Sequence, residues 1–186
     1  MALDEILLEA EEKMESAVEH LCSEFKGMRT GRASAALVDH IKVNYYGSAT
    51  DLRQLATIAT PEAALIVIKP FDPASLKEIE KAIFASGLGI TPISDGKLIR
   101  LAVPPLSVER RNQIATQLKK MSEAARIVVR NARRDANKEI DRQEKDSQLT
   151  EDDAAGGKDD VQKLTDSYEK KITQLLDDKT KEIQEH

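Results

Sequence analysis

The sequence predicts an α+β protein, an elongated antiparallel three-helix bundle into which a small β/α/β domain is inserted. Three observations carry this prediction. All six prolines fall between Pro61 and Pro105, and six of the eight glycines fall between Gly27 and Gly96, whereas 1–26 and 106–155 contain neither. Gly and Pro break helices and mark turns, so the flanks read as long helices and the centre as a punctuated unit. Apolar residues in the flanks recur at helical spacing, while a central segment alternates with the period of a strand. The expected division is 1–30 plus 105–186 for the bundle and 31–104 for the insertion.

The first helix is marked by Leu3, Leu7, Ala10, Met14, Ala17, Leu21, Phe25 and Met28, a seam of the kind that packs against other helices, and it stops near Gly27 to Gly31. Ile41, Val43 and Tyr45 alternate with Lys42 and Asn44 and predict a half-buried strand ending at Tyr46-Gly47. Leu52 to Thr60 and Ala64 to Lys69 are the next expected strands. Asp72-Pro73 starts a helix with Leu76, Ile79, Ala82 and Ile83 as its stripe and Gly87 as its stop. Asp95-Gly96 turns into a last strand, Leu98 to Val103. Pro104-Pro105 then closes the insertion, and Ser107 is the expected N-cap of a helix running to about Asp146, on the order of 60 Å at 1.5 Å per residue. Thr150-Glu-Asp-Asp153 has the form of a capping box for a third long helix, whose stripe is Val161, Leu164, Tyr168, Ile172, Leu175 and Ile183. Gly156-Gly157 is its expected weak point, each glycine costing roughly 1 kcal/mol against alanine.

The 186 residues are 40% hydrophobic and 33% charged, enough apolar material for one folded domain or two small ones. The net charge of −5 is unevenly distributed: segments 1–26, 27–106, 107–149 and 150–186 carry −6, +2, +4 and −5. Any anion-binding surface therefore belongs to the third segment. Cys22 is the single cysteine, which excludes an internal disulfide and fits a reducing cytosol. No basic-then-apolar segment opens the chain, and no apolar run approaches the ~20 residues that span a bilayer, so a soluble, cytoplasmic protein without membrane contact is expected.

No catalytic constellation is present. His20, His40 and His186 share no metal-ligand spacing with one another, and Cys22, two residues from His20, points elsewhere on a helix. Gly87-Leu-Gly89 reads as a helix stop, not a phosphate loop. Neither metal nor cofactor nor enzymatic activity is expected. What stands out is a cationic stripe: at 100° per residue Lys119, Arg126, Arg130, Arg133 and Asn137 share one side of the second long helix, beside an apolar stripe of Leu118, Met121, Ala125, Val128, Val129, Ala132, Ala136 and Ile140. No carboxylate lies among Arg126, Arg130 and Arg133 on that stripe, so it reads as an exposed polyanion-binding edge; a solvated surface face, of the kind that carries Lys and Arg beside Asp and Glu as intrahelical pairs, is the alternative. Guanidinium groups suit phosphate because they are permanently charged and can bond two oxygens at once. With 3% aromatic residues and no set of amides arranged to read bases, recognition of folded RNA by backbone and shape is favoured over duplex DNA. Tyr45-Tyr46 is expected to supply one core ring and one surface ring, with base stacking as its alternative.

Six strings, Met28-Arg-Thr-Gly-Arg-Ala-Ser34, Tyr45-Tyr-Gly47, Leu52-Arg-Gln-Leu-Ala56, Pro104-Pro-Leu-Ser-Val-Glu-Arg-Arg111, Val129-Arg-Asn-Ala-Arg-Arg-Asp-Ala136 and Asp159-Asp-Val-Gln-Lys-Leu-Thr-Asp166, together resemble the bacterial ribosome recycling factors. The resemblance implies an L-shaped, monomeric, non-enzymatic translation factor. Such a factor binds the post-termination ribosome and, with elongation factor G and GTP hydrolysis by that partner, splits it into subunits for reuse. It places the large-subunit ribosomal-RNA contacts on Arg130 and Arg133, inside the stripe found from periodicity, with Arg126, Arg134 and Lys119 as their extension. Arg29 and Arg32 are implied RNA contacts or braces of the joint between domains; bonding to the last carbonyls of the first helix is their alternative. The hinge is expected at Thr30, Gly31, Pro104 and Pro105, with Gly31 giving backbone freedom and the prolines stiffening the return. Two departures from the family pattern are Gly156-Gly157 in the third long helix and Ser34-Ala35, which lacks a proline. From another class, the rival reading is a structural helical adaptor that recruits another protein through its helix seams; a small hydrolase built from scattered Asp, Glu and His ranks below it.

Overall fold

The computed structural model describes residues 3–185; Met1, Ala2 and His186, the last of the histidines weighed above, lie outside the described residues. The chain forms two compact units. One contains the first helix as far as Phe25 together with Asn112–Lys181; the other contains Lys26–Arg111 and the residues from Glu182.

The first unit is built from three long helices, α1 (Leu3–Lys26), α4 (Val108–Lys145) and α5 (Glu151–Gln184). Contacts fix their directions. On α4 and α5, Arg126 meets Thr173, Arg130 meets Glu169, Arg133 meets Gln162 and Asp141 meets Lys158, so these two helices run antiparallel. On α1, Leu3 lies against Gly157 and the Tyr168 hydroxyl donates to Glu11 Oε1 at 3.4 Å, so α1 runs parallel to α5. Ser107 Oγ accepts from the Arg110 N–H at 3.2 Å and caps α4. Thr150 Oγ1 accepts from the Asp153 N–H at 3.1 Å and so caps α5 as expected, while the Asp153 carboxylate reaches back to the Thr150 hydroxyl at 2.7 Å where a full capping box would have it accept from the Thr150 N–H.

The buried positions of α4 are Ile114, Leu118, Ser122, Ala125, Val129, Ala132, Ala136, Ile140 and Gln143, a strict three-four spacing. Two expected members of this stripe fall outside it: Met121 is half-buried and Val128 is 47% exposed. Ser122 takes the geometric place that the more apolar neighbours were assigned, and its Oγ has no hydrogen-bond partner. In α1 the seam passes through Ile6, Ala10, Met14, Ala17, Leu21 and Phe25, with Leu3 and Leu7 at its edge.

The helix α5 runs unbroken through Gly156-Gly157. The two glycines differ in their surroundings. Gly156 is exposed, and a Cβ there would meet nothing within 4 Å. Gly157 is buried, and a Cβ there would come within 2.6 Å of Leu3 Cδ1 and 3.3 Å of Ile140 Cδ1. The second glycine is therefore the contact point at which α1, α4 and α5 converge, and the helix-propensity cost is offset locally by packing.

The second unit contains a hairpin and a four-stranded sheet. Strands β1 (Lys42–Tyr45) and β2 (Ser48–Asp51) are antiparallel, joined through Tyr46 and Gly47, whose φ values are +48° and +82°. The sheet has the order β3-β4-β6-β5, from β3 (Ala56–Glu62), β4 (Leu65–Pro70), β5 (Pro92–Ser94) and β6 (Ile99–Ala102), with every neighbouring pair antiparallel. Pro61, which has no N–H to donate, sits in edge strand β3 where the register shifts. Leu52–Leu55 is not the start of a strand as expected. It forms a single helical turn, α2, that buries Leu52 and Leu55 before β3 begins at Ala56. Helix α3 (Leu76–Ala85) follows a short 3₁₀ turn capped by Asp72, whose Oδ1 accepts from the Ala74 N–H at 3.0 Å. Its Ile79 and Ile83 join Ile66, Ile68, Ile99 and Leu101 of the sheet in one apolar core. Tyr45 packs against this core while Tyr46 is 81% exposed, one ring inside and one outside.

Replacing Gly156 with alanine is expected to stabilise the protein by about 0.5–1 kcal/mol, whereas Gly157→Ala gains less or loses stability because Leu3 and Ile140 must move. Equilibrium denaturant unfolding of the two variants reads the difference; equal gains would show that the contact at Gly157 is loose. In the same assay, Ser122→Ala should stabilise by about 1 kcal/mol, because a buried hydroxyl without a partner is removed with almost no change in volume.

Candidate nucleic-acid interface

The cationic residues of α4 divide into two sets once the helix is packed. Arg126, Arg130 and Arg133 flank the buried stripe on the side facing α5, and their guanidinium groups lie along that neighbour. Arg126 Nη2 donates to Thr173 Oγ1 at 3.0 Å, and Nη1 reaches Glu123 Oε2 at 3.5 Å. Arg130 Nε donates to Glu169 Oε1 at 2.8 Å, and Nη1 donates to Glu123 Oε1 at 3.1 Å. Arg133 Nη1 donates to the Gln162 side-chain carbonyl at 3.2 Å. Lys119 and Arg134, by contrast, are exposed and make no ion pair among the described residues.

The expectation that no carboxylate accompanies these arginines is therefore corrected at two of them. Glu123 precedes Arg126 by three residues and Arg130 by seven, close enough for both, and Glu169 comes from another helix. The hydrogen bond and charge of Glu169 push the Arg130 guanidinium above its ordinary range, with Glu123 adding to the effect and burial opposing it. Arg133 differs from the other two in that its partner is the uncharged Gln162 and no carboxylate lies within ion-pair distance of it among the described residues. Both sides of the Arg130–Glu169 pair are partly wet, at 43% and 31% exposure, so solvent screens the pair and it adds little to stability.

The outer surface of α4 extends the cationic character. Lys120 and Arg134 are exposed, and between them Ile127 is 51% exposed. These three recur at seven-residue steps, two turns apart, so the sequence marks this face by a mixed basic and apolar period and not by a purely basic one. Glu169, Gln162 and Thr173 were also missed, and no local pattern marks them, because their pairing with α4 depends on how the two helices register.

Arg29 and Arg32 sit apart from this stripe, in the second unit. Arg29 is half-buried; its Nη1 donates to the Leu88 carbonyl at 3.3 Å, beyond the end of α3, and its Nε has no partner. The carbonyl it reaches belongs to a distant loop, so bonding to the last carbonyls of α1 is not what this Nη1 does. Arg32 is exposed. Thr30 is buried and donates to Glu182 Oε1 at 2.9 Å. Gly31 has φ +79°, and a Cβ there would meet Leu106 Cγ at 3.3 Å, so the segment after α1 packs on the segment before α4. Pro104 and Pro105 are exposed. Among the described residues, no cluster of three or more His, Cys, Asp or Glu side chains is arranged to hold a metal ion, and no helix is long and apolar enough to cross a membrane.

The surface thus offers fixed guanidinium groups, backed by exposed Lys119, Lys120 and Arg134. Guanidinium groups held on a rigid helix suit phosphate oxygens, since each is permanently charged and can bond two oxygens at once. Arg130→Gln and Glu169→Gln should each leave the unfolding midpoint close to the parent's, with little coupling between them in the double-mutant cycle. Thermal or denaturant unfolding of the four proteins measures this, and a larger coupling would make the pair a structural element of the bundle.

Comparison with known proteins places this surface in context. The model of the family described as ribosome recycling factor matches residues 21–183. The chain is 52% identical over 183 residues to a ribosome-recycling factor of Oleidesulfovibrio alaskensis, covering 98% of this chain and 100% of that protein. It is 49% identical over 181 residues to one from Geobacillus thermodenitrificans, covering 97% and 98%. Among solved structures, it is similar to a solution structure of the ribosome recycling factor, with a TM-score of 0.83 and 42% identity over 100% of this chain and 99% of the other. It is also similar to the T. thermophilus ribosome recycling factor in a description of that factor and E. coli elongation factor G bound to the E. coli post-termination complex, with a TM-score of 0.70 and 37% identity over 98% and 99%.

Proposed function

The chain belongs to the ribosome recycling factor family, and from that premise we propose how its geometry serves the family's task. It is a translation factor and not an enzyme: it binds the post-termination ribosome and, together with elongation factor G, splits it into subunits for reuse, in the cytoplasm. GTP hydrolysis is supplied by the partner. The chain contributes a rigid surface for docking and a second unit for receiving force.

The docking surface is the α4 edge carrying Lys119, Arg126, Arg130, Arg133 and Arg134, and its ligand is the phosphate backbone of large-subunit ribosomal RNA. One observation carries this reading: Arg133 points along the seam with only an amide for a partner, between exposed Arg134 and the paired Arg130. No carboxylate lies within ion-pair distance of it among the described residues, which leaves its charge available to an anion. Helical geometry spaces Arg126, Arg130 and Arg133 over about 10 Å of rigid rod, so several phosphates can be met without ordering a loop. Arg32, exposed in the second unit, extends the RNA-facing set, while Arg29 braces the loop at Leu88. The hinge lies at Thr30, Gly31, Pro104 and Pro105: the left-handed backbone of Gly31 and the fixed φ of the prolines define two short connections that lie against each other through Leu106. Two connections allow the inserted segment between them to move as a body while limiting the directions available to it.

Charge-neutral replacement of Arg133 by glutamine is expected to weaken binding to ribosomes while leaving the folding midpoint within ~0.5 kcal/mol of the parent. Sedimentation of post-termination complexes should show subunit separation only when this chain, elongation factor G and GTP are all present, and binding should weaken steeply with salt as phosphate contacts displace counterions. Salt-insensitive binding with Arg130 and Arg133 dispensable would favour a helix-seam adaptor instead.

A further inference from the structure

We infer that Glu123 and Glu169 are specificity-determining residues, counter-charges that keep the α4 edge from gripping nucleic acid at large. The inference rests on the reading of that edge as the RNA-docking surface and adds to it a mechanism of discrimination. It starts from an imbalance within the stripe: Arg126 and Arg130 are paired with carboxylates, and Arg133 is not.

A guanidinium has five N–H donors. Arg130 commits Nε to Glu169 and Nη1 to Glu123, which leaves donors for a phosphate but places two negative charges beside the approach. Arg126 commits one Nη to Thr173 and the other to Glu123. A phosphate arriving at either arginine must therefore tolerate or displace a carboxylate already in place. A single contact gains little under those conditions. An RNA surface that presents several phosphates in register with Lys119, Arg133 and Arg134 gains enough from those unpaired cations to accommodate the repulsion at Arg126 and Arg130. A duplex of arbitrary sequence, whose phosphates follow a regular helical path, meets fewer of these positions together. An RNA surface matched to Lys119, Arg133 and Arg134 takes most of its affinity at cations that carry no carboxylate partner among the described residues, whereas a duplex lying along the edge depends on Arg126 and Arg130 as well. The carboxylates therefore cost the duplex more than the matched RNA, and that difference is the specificity.

Both carboxylates are poised for this. Glu123 is 51% exposed and bridges two arginines; Glu169 is 31% exposed and holds Arg130 from the neighbouring helix. Neither is buried deeply enough to serve the core, and neither caps a helix end, since Glu123 lies in the interior of α4 and Glu169 in the interior of α5.

The test uses the full chain with Glu123→Gln, Glu169→Gln and both together, probed with a short duplex RNA of non-ribosomal sequence and with isolated large ribosomal subunits, alongside Arg133→Gln. The double variant releases two guanidinium groups, so its dependence of log affinity on log salt for the duplex should steepen by about 2, and its duplex affinity at low salt should rise by about tenfold. Affinity for large subunits should rise by a smaller factor, so the ratio of the two affinities falls. A purely structural role for the carboxylates would not move that ratio, and unfolding midpoints of all variants report folding separately. Unchanged or weaker duplex binding, or equal gains for duplex and subunits, overturns the inference. If that result is accompanied by weakened subunit binding in Arg133→Gln, the docking surface stands and only the counter-charge role is lost. If Arg133→Gln also binds subunits normally, the docking surface itself is misassigned.

Discussion

Close approach of the three long helices is the constraint on which the rest of the first unit depends, and small side chains set it. Ala10, Ala136 and Ala154 share one apolar cluster with Ile6, Ile140 and Val161, and Gly157 sits where a single methyl group would collide with Leu3. Cores are packed near crystal density, so a small residue at a contact position draws its helix inward until something touches. On α4 the small residues Ser122, Ala125, Ala132 and Ala136 alternate with Leu118, Val129 and Ile140, so the helix alternates between close approach and interlocking. That spacing brings α5 within reach of a guanidinium from α4: Arg126, Arg130 and Arg133 touch three different residue types across the seam. Helix packing and surface electrostatics are thus one design at this edge.

The long helices were legible because their signals are local. A cap, a three-four stripe and the absence of Gly and Pro from 106–155 suffice to place α4 within a residue at each end. The buried stripe was less legible, and the errors share a cause. Val128 and Met121 were chosen for their hydrophobicity, but the spacing from Leu118 to Ala125 and Val129 passes through Ser122, and it is Ser122 that is buried. Geometry outranks residue type when a position is already fixed by its neighbours one turn away. Leu52–Leu55 failed for the complementary reason: an apolar pair three apart at the start of a short run fits one helical turn as well as it fits the lead-in to a strand, and tertiary packing of Leu52 and Leu55 decided it.

The cationic edge shows the limit more sharply. Periodicity correctly aligned Arg126, Arg130 and Arg133 on one side, and no periodicity could show that Glu169 lies opposite Arg130, since the two are separated by 39 positions along the chain and meet only through the register of two helices. Glu123 was available to local reasoning, three residues before Arg126, but it also serves Arg130 at seven, beyond the i,i+4 pairs that helix rules consider. Gly156-Gly157 is the opposite case. Propensity alone marked a weak point, and the contact with Leu3 and Ile140 explains why the second glycine is tolerated while giving the first no packing role.

A protein of net charge −5 with an anion-binding edge poses an apparent contradiction that distance resolves. Most of the acidic excess of the first unit lies on α1, whose Asp4, Glu5, Glu9, Glu12, Glu15 and Glu19 are exposed. The Debye length at physiological ionic strength is about 8 Å, while a helix with its side chains is about 10 Å across. Charges on the far side of α1 are therefore screened before they reach a ligand at the α4 edge that faces α5. Lys13 paired with Glu9, and Lys171 set over the Tyr168 ring, temper that excess further at close range. Charges within a few ångströms are not screened in this way, because no ionic atmosphere fits between them. The behaviour of the edge toward RNA is then governed by the handful of groups in direct contact with it. Of the acidic residues in the chain, Glu123 and Glu169 are the ones in ion-pair contact with its arginines among the described residues. Net charge describes how the whole molecule behaves at long range; those two carboxylates decide what a phosphate meets on arrival.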